Sequence, residues 1–137
     1  MQRTDAVNES ARVIDSLDVA ERLFDAIAGG DVEAVRQIYG SDAVIWHNID
    51  QATQSVEQNL AVLSWVVTHI SNLRYEGIRR QRTDTGFVQQ HTLRGTAPNG
   101  DELAIPACLV CTVEGRRITR LDEYLNSAQL APLLLSR

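Results

Sequence analysis

The sequence predicts a single α+β domain in which a curved, mostly antiparallel sheet wraps around N-terminal helices and encloses a pocket. Three observations support this fold class. Apolar residues recur at helical spacing in the first 40 residues and again after residue 55. From residue 72 onward, the pattern changes to that of strands. These strands are about ten residues long or more, and long antiparallel strands twist and curl.

The first two helices are predicted from their apolar spacing and their caps. The first begins near Ser16 and stops at the pair Gly29–Gly30, because glycine is common just beyond a helix C-terminus. Asp31 then caps a second, short helix, since an aspartate side chain accepts hydrogen bonds from the first free backbone N–H groups. This second helix is expected to end at Gly40.

The middle of the chain predicts one strand and one longer helix. Residues 42–48 are β-branched and aromatic, which is typical of a strand, and a loop is expected from there to Ser55. Ser55 and Gln58 form a capping box, which opens a helix with apolar residues up to Ile70.

The second half predicts a meander of four strands. A hairpin turn is expected at Asn99–Gly100, because Asn-Gly tolerates the positive φ values of such turns. A short helix is expected over 127–135. The predicted strands are 73–83, 86–97, 102–114 and 116–126.

The composition excludes several classes of function. The net charge is −5, and the densest positive cluster, Arg79, Arg80 and Arg82, is predicted to be the solvated face of a strand. Nucleic acid is therefore not an expected partner. The chain contains no lysine, so Schiff-base chemistry and a P-loop are excluded. We expect one domain over 1–137, with residues 1–15 as an N-terminal extension.

Neither a membrane, a metal nor a cofactor is expected. The N-terminus lacks an apolar signal segment, and the apolar run Leu60–Ile70 is too short for a membrane span, so the protein is predicted to be cytoplasmic. Cys108 and Cys111 lie three apart on a predicted strand and should point to opposite faces, which favours small buried thiols over a redox or zinc site. The three histidines are too widely separated for metal-ligand spacing.

Several segments resemble a known family. Residues 28–48, AGGDVEAVRQIYGSDAVIWHN, resemble the opening of SnoaL-like members of the NTF2-like superfamily. Residues 114–126, EGRRITRLDEYLN, resemble their closing strand, and QQHTLRG at 89–95 lies between the two. The resemblance covers residues 17–130 and implies the NTF2-like cone. The family includes polyketide cyclases, ketosteroid isomerase, limonene-epoxide hydrolase and scytalone dehydratase, together with binding modules that perform no chemistry, so the fold alone does not give the function.

The first candidate site residues are Trp46, His47 and Asn48. In one register they resemble the Tyr-x-Asn of epoxide hydrolases, which places Trp46 and Asn48 in the pocket as substrate-binding residues. In the other register His47 occupies the position of the isomerase base. Side chains alternate along a strand, so the two registers exclude each other, and the sequence leaves both open.

Glu123 is the second candidate. Strand alternation places it on one face with Leu121 and Leu125, which indicates an interior setting. A carboxyl group there could act as general acid or base. Asp122 and Tyr124 fall on the other face, and a homodimer is expected through that outer face. The predicted rim or interface residues are Arg79, Arg80, Cys111, Asp122 and Tyr124.

His91 is the third candidate acid or base, since polyketide cyclases of the family use a histidine in the middle strands. Gln90 and Thr92 stand where epoxide hydrolases carry an Arg-x-Asp pair, so the resemblance gives them only a substrate-binding role. Leu23 and Cys108 stand near the positions of the isomerase oxyanion donors and, lacking strong donors themselves, are also assigned to substrate binding.

The sequence predicts one of two functions. The first is a cofactor-independent enzyme of isomerase, cyclase or hydrolase type that uses acid–base proton transfer on a hydrophobic polycyclic or terpenoid-like substrate. Its catalytic candidates are Glu123, His91 and His47. The alternative is a non-catalytic binding protein for a small lipophilic ligand, because no catalytic set of a single relative is complete.

Overall fold

The computed structural model describes residues 16–135, so the predicted extension 1–15 lies outside the described residues. Four helices, a 3-10 turn and one curved, unclosed sheet of six strands form the NTF2-like cone that the sequence predicts. The elements are α1 (16–28), α2 (Val32–Ile38), β1 (Tyr39–His47), β2 (Ala52–Gln54), α3 (Val56–His69), β3 (Ser71–Arg82), β4 (Gly86–Thr96), β5 (Glu102–Glu114), β6 (Arg117–Leu125), the 3-10 turn (Ser127–Leu130) and α4 (Ala131–Leu135).

The caps of the first helices form as their residues predict. Gly30 has φ 74°, and the N–H of Asp31 donates to the carbonyl of Ala26 at 2.8 Å, which is a Schellman end for α1. The Asp31 side chain then accepts from the N–H of Ala34 at 3.0 Å and starts α2. Ser16, near which the first helix was expected to begin, is the first described residue and is already helical and buried.

The strand β2 lies in the segment predicted as a loop. The Asp50 side chain accepts from the N–H of Ala52 at 3.0 Å, and the N–H of Gln51 donates to the carbonyl of His47 at 2.9 Å. Gln51 takes φ 52°. These contacts reverse the chain immediately after β1, which lets three further residues pair back on it.

The sheet has the order β2-β1-β6-β5-β4-β3. Strands β3 to β6 form the predicted antiparallel meander, whereas β1 pairs with β6 in parallel. In the β4–β5 hairpin only Gly100 takes a positive φ, 91°, so Asn99 is not the left-handed residue that its Asn-Gly sequence predicts. Pro98 and Asn99 instead occupy the centre of the turn, which the N–H of Gly100 closes on the carbonyl of Ala97.

The helices pack against one face of the sheet, which is called the inward face, and leave the outer face uncovered by described residues. The core between the layers contains apolar side chains from α1, α2, α3 and four strands, among them Leu23, Phe24, Val35, Leu60, Ile45, Phe87, Leu109 and Leu121. A second cluster joins Ile70, Leu103, Ile105 and Leu133, so α4 covers one end of the sheet. Within residues 16–135, no helix has the length and apolar character needed to cross a membrane.

The capping box of α3 gives a direct test of its contribution to stability. The Ser55 side chain accepts from the N–H of Gln58 at 3.2 Å, and the Gln58 side chain accepts from the N–H of Ser55 at 2.9 Å. Ser55→Ala should lower the free energy of unfolding by about 1 kcal/mol, because it leaves a helix N–H without a partner. Ser64→Ala, at an exposed position of the same helix, should cost nothing. Equal urea-unfolding midpoints for the two variants would contradict this expectation.

Candidate active site

An imidazole–carboxylate pair lies on the inward face at the junction of β1 and β6. The parallel register places His47 opposite Glu123, and Nε2 of His47 is 3.0 Å from Oε1 of Glu123. The two side chains keep 17% and 21% of their surface exposed. The pair therefore faces the helices and is still in contact with solvent.

The pair changes the titration of His47. Burial alone would lower the pKa of this imidazole, but the hydrogen bond to Glu123 and the charges of Glu123 and Asp50 outweigh burial. The net result is a pKa raised above the ordinary value of 6.5. A histidine whose pKa is raised in this way keeps its proton to a higher pH than a free imidazole, and a side chain that gains and loses a proton suits acid–base chemistry.

The Glu123 carboxylate is directed toward the interior. Burial raises the pKa values of Tyr39, Tyr75 and Cys111, and the negative charge of Glu123 raises each of them further. These three groups lie on different strands of the inward face. Glu123 is therefore close to several buried groups, as the alternation of β6 predicts for an inward side chain.

His91 lies on the inward face of β4 and is only 5% exposed. Its ring is 4.5 Å from the Tyr75 ring and 5.2 Å from the Phe24 ring, measured between centroids. Burial lowers its pKa to about 4, with Glu123 opposing the shift and Arg80 adding to it. At neutral pH His91 is therefore an uncharged imidazole, which can donate a hydrogen bond but cannot act as an imidazolium acid.

Asn48 fixes the end of β1 to β6. Its Nδ2 donates to the carbonyl of Leu125 at 3.1 Å, and its Oδ1 accepts from the N–H of Leu125 at 2.9 Å. The side chain thereby replaces one step of a backbone ladder between the two strands. Both ends of the amide are occupied by these contacts, so the structure gives Asn48 a positioning task beside the pair of His47 and Glu123.

Four of the predicted substrate-binding residues face away from this region. Trp46 lies on the outer face, where its ring meets that of Tyr124 at 5.3 Å between centroids. Gln90, Thr92 and Cys108 line a groove of about 370 Å³ on the same outer face. Because neighbouring residues of a strand point to opposite faces, the four side chains point away from those of His47 and His91, although His91 also borders the groove.

Other predicted residues also take positions that the sequence left open or misassigned. Leu23 is fully buried in the apolar core, where it packs among other hydrocarbon side chains. Arg80 and Cys111, which were predicted at the outer interface, belong to the inward side. Cys111 and Cys108 lie on opposite faces of β5, as their spacing predicts. Arg79 lines the outer groove.

The sequence analysis missed several polar groups of the interior. The Tyr39 hydroxyl donates to Oδ1 of Asn59 at 2.8 Å, and Nδ2 of Asn59 donates to Oε1 of Gln54 at 3.1 Å. Gln89 is fully buried and contacts His91. Its position two residues before His91 was a usable signal, because residues i and i+2 share a face of a strand.

Comparisons with known proteins agree with this architecture. Residues 20–121 match the family model described as a SnoaL-like domain. Similar solved structures include an NTF2-like protein of unknown function from Burkholderia pseudomallei, with 19% identity, coverage of 87% of this chain and 96% of that chain, and a TM-score of 0.76. IdmH from Streptomyces antibioticus, provisionally assigned as a polyketide cyclase, gives 18% identity, 87% and 97% coverage, and a TM-score of 0.75.

A third similar structure is a protein with a ketosteroid isomerase-like fold from Catenulispora acidiphila, in complex with trimethylamine. It gives 17% identity, 86% and 90% coverage, and a TM-score of 0.72. No protein of curated function matches the sequence. At these identities the solved structures support the fold alone.

The two inward histidines should give opposite pH dependences of stability. The pKa of His91 falls from 6.5 to about 4 on folding, so its contribution is present above pH 6.5 and is lost as the pH falls toward 4. His91→Asn should remove about 3 kcal/mol of pH-dependent stability, because each unit of pKa shift corresponds to about 1.4 kcal/mol. The pKa of His47 is raised, so its contribution is complete below pH 6.5 and is lost as the pH rises through the folded value.

Urea unfolding at a series of pH values measures both effects. His47→Gln should remove the loss of stability on the alkaline side, and His91→Asn should remove the loss on the acid side. If His91→Asn keeps the wild-type slope below pH 6.5, the assignment of a lowered pKa to His91 is wrong.

Proposed function

Because the chain belongs to the SnoaL-like domain family, we propose that it is a cofactor-independent enzyme that moves protons on a hydrophobic polycyclic or terpenoid-like carbonyl compound. The observation that carries the proposal is the pair of His47 and Glu123, 3.0 Å apart on the inward face, together with the neutral, buried His91. IdmH, which shares this fold, is provisionally assigned as a polyketide cyclase, which is one example of the proposed class of reaction.

Glu123 is assigned as the group that takes and returns the proton. Its charge acts on buried groups of three strands, which supports a carboxylate directed at a ligand between sheet and helices. His47 holds this carboxylate through its Nε2. Since both side chains remain partly exposed, His47 also gives Glu123 a route for proton exchange with solvent.

His91 is assigned as the hydrogen-bond donor to the substrate oxygen. Resemblance to the isomerases places Leu23 and Cys108 near the usual oxyanion positions, and neither is a strong donor. A neutral imidazole N–H in a buried setting supplies such a donor from a different strand. Loss of one donor to a developing oxyanion typically costs about 10²–10³ in rate.

The proposed step balances without a cofactor. The Glu123 carboxylate removes a proton from the carbon next to the carbonyl. The electron pair of that C–H bond forms a carbon–carbon double bond, and the π pair of the carbonyl moves onto its oxygen to give an enolate. The His91 N–H stabilises this oxygen. If the enolate is conjugated with a further double bond, the carboxylic acid on Glu123 returns its proton to a different carbon, which isomerises the substrate. Alternatively, the enolate carbon attacks a second carbonyl and closes a ring, and the alkoxide formed there takes the proton from Glu123.

Hydrogen–deuterium exchange tests this step without knowledge of the product. A panel of polycyclic and terpenoid ketones is incubated with the protein in D₂O, and deuterium next to the carbonyl is measured by mass spectrometry. Glu123→Gln should lower the exchange rate by about 10²–10⁴, which is the usual contribution of a positioned acid–base group.

The neighbouring carboxylate supplies the matched control. Asp122 lies on the outer face and pairs with Arg120 at 3.0 Å, so Asp122→Asn should keep wild-type exchange. Equal loss in the two variants would contradict the assignment of Glu123. If members of the panel stabilise the wild-type protein against heat but undergo no exchange, the binding-protein alternative is the correct function.

We also propose that the protein forms a homodimer through the outer face. The supporting observation is exposed apolar surface at the centre of the sheet, where Val110 and Tyr124 are 41% and 47% exposed. Trp46 extends this surface through its contact with Tyr124. Surface of this kind in the middle of a wide sheet is usually covered by a partner.

Light scattering tests the dimer. Val110→Asp introduces a charge next to Asp122, its partner across β5 and β6, and should shift the protein from dimer to monomer at micromolar concentration. Val62→Asp, at an exposed apolar position of α3, should leave the dimer intact. A wild-type protein that is monomeric at that concentration would rule out this interface.

A further inference from the structure

Three side chains on the inward face form a directed chain of hydrogen bonds. Arg80 on β3 lies opposite Gln89 on β4, and its Nε donates to Oε1 of Gln89 at 2.6 Å. Nε2 of Gln89 lies 2.8 Å from Nδ1 of His91, two residues further along the same strand. Gln89 is completely buried and His91 nearly so, so water cannot readily replace these partners.

The direction of this chain follows from Arg80. A guanidinium group only donates hydrogen bonds, so the Gln89 atom that faces Arg80 must be the amide oxygen. The amide nitrogen of Gln89 then faces His91 and donates to it. Nδ1 of His91 must accept, so the single proton of the neutral imidazole has to be on Nε2.

We propose that Arg80 and Gln89 are positioning residues that hold His91 as the neutral tautomer with its proton on Nε2. This proposal rests on the proposed function, because the tautomer matters for a ligand only if His91 contacts one. It goes beyond that function by naming two residues that were not candidates and by fixing which atom of His91 acts.

The surroundings of Arg80 are aromatic and acidic. Its guanidinium carbon lies 6.0 Å from the centroid of the Phe24 ring, and Glu21 and Asp25 on α1 act on its charge. The positive charge of Arg80 near His91 also disfavours the imidazolium form. The negative charge of Glu123 acts in the opposite direction, and the pKa of His91 still falls to about 4.

The fixed tautomer determines what the site accepts. Nε2 of His91 makes no hydrogen bond to the described part of the chain, so its N–H remains available to a ligand. An N–H donor selects a ligand with an acceptor oxygen, such as a ketone, an enolate or a phenolate. A ligand that presents a group able only to donate, such as an ammonium, would place two donors face to face at this point and bind poorly.

Gln89→Glu is the sharpest test, because it keeps the shape of the side chain and removes its only donor. A glutamate at this position accepts from both Arg80 and His91, so Nδ1 of His91 must carry a proton. Long-range ¹H–¹⁵N correlation spectra of protein labelled at histidine report which ring nitrogen is protonated. The expected result at neutral pH is protonated Nε2 in the wild type, and a shift of protonation to Nδ1 in Gln89→Glu.

Matched variants separate this role from general effects of charge or folding. Gln90→Glu makes the same change one residue along, on the outer face, and should leave the His91 signals unchanged. Arg80→Met frees the Gln89 amide to rotate, so a mixture of tautomers is expected. Arg80→Lys should keep the wild-type tautomer, because a lysine also only donates.

The proposal is overturned if the wild-type protein carries the proton on Nδ1, a result that needs no variant to fold. It is also overturned if folded Gln89→Glu keeps the wild-type tautomer. The spectra require no substrate, so an absence of deuterium exchange would refute the proposed enzyme while the tautomer is still observed. The two failures are therefore distinguishable.

Discussion

The parallel pairing of β1 with β6 is the contact on which the rest of the molecule depends. The residues it joins are far apart in the chain, since Asn48 and Leu125 are separated by 77 in sequence number, so closing it costs substantial chain entropy. Among the strands of residues 16–135, this pairing alone attaches the first half of the chain to the meander within one sheet. Its register also sets the chemistry, because it places His47 directly opposite Glu123. The Asn48 side chain extends the pairing by one step and holds that register where the strand ends.

Much of the fold could be predicted because its signals are local. Capping residues such as Asp31 and Ser55 act within one helical turn, and both form the predicted bonds. The inward position of Glu123 followed from alternation with Leu121 on a strand whose apolar face is distinct. The face of β1 could not be chosen in the same way, because Trp46 and His47 are equally plausible interior residues. Its partner strand, which is remote in sequence, settles that choice.

The arginine cluster shows why other parts of the site escaped prediction. On a regular strand, Arg80 and Arg82 would point to one face and Arg79 to the other. However, β3 changes register between Glu76 and Arg79, and Gly77 takes φ 64° there. This bulge alters which residues point inward and turns Arg80 toward Gln89. In β4 both faces mix polar and apolar residues, so periodicity alone could not separate Gln89 and His91 from Gln90 and Thr92.

One sheet face thus carries two histidines with opposite properties, and their neighbours are the cause. His47 lies against a carboxylate near solvent, where the positive form is stabilised. His91 contacts two aromatic rings and the amide of Gln89, which in turn is hydrogen-bonded to the guanidinium group of Arg80. In these surroundings the neutral form of His91 is stabilised and its donor atom is fixed. The proposed exchange of protons between Glu123 and solvent needs a group that gains and loses a proton, whereas stabilisation of an oxyanion needs a donor that stays neutral. The identity of the residue does not distinguish these two tasks, because both are histidines. Glu123 sets the properties of His47, and Gln89 sets those of His91.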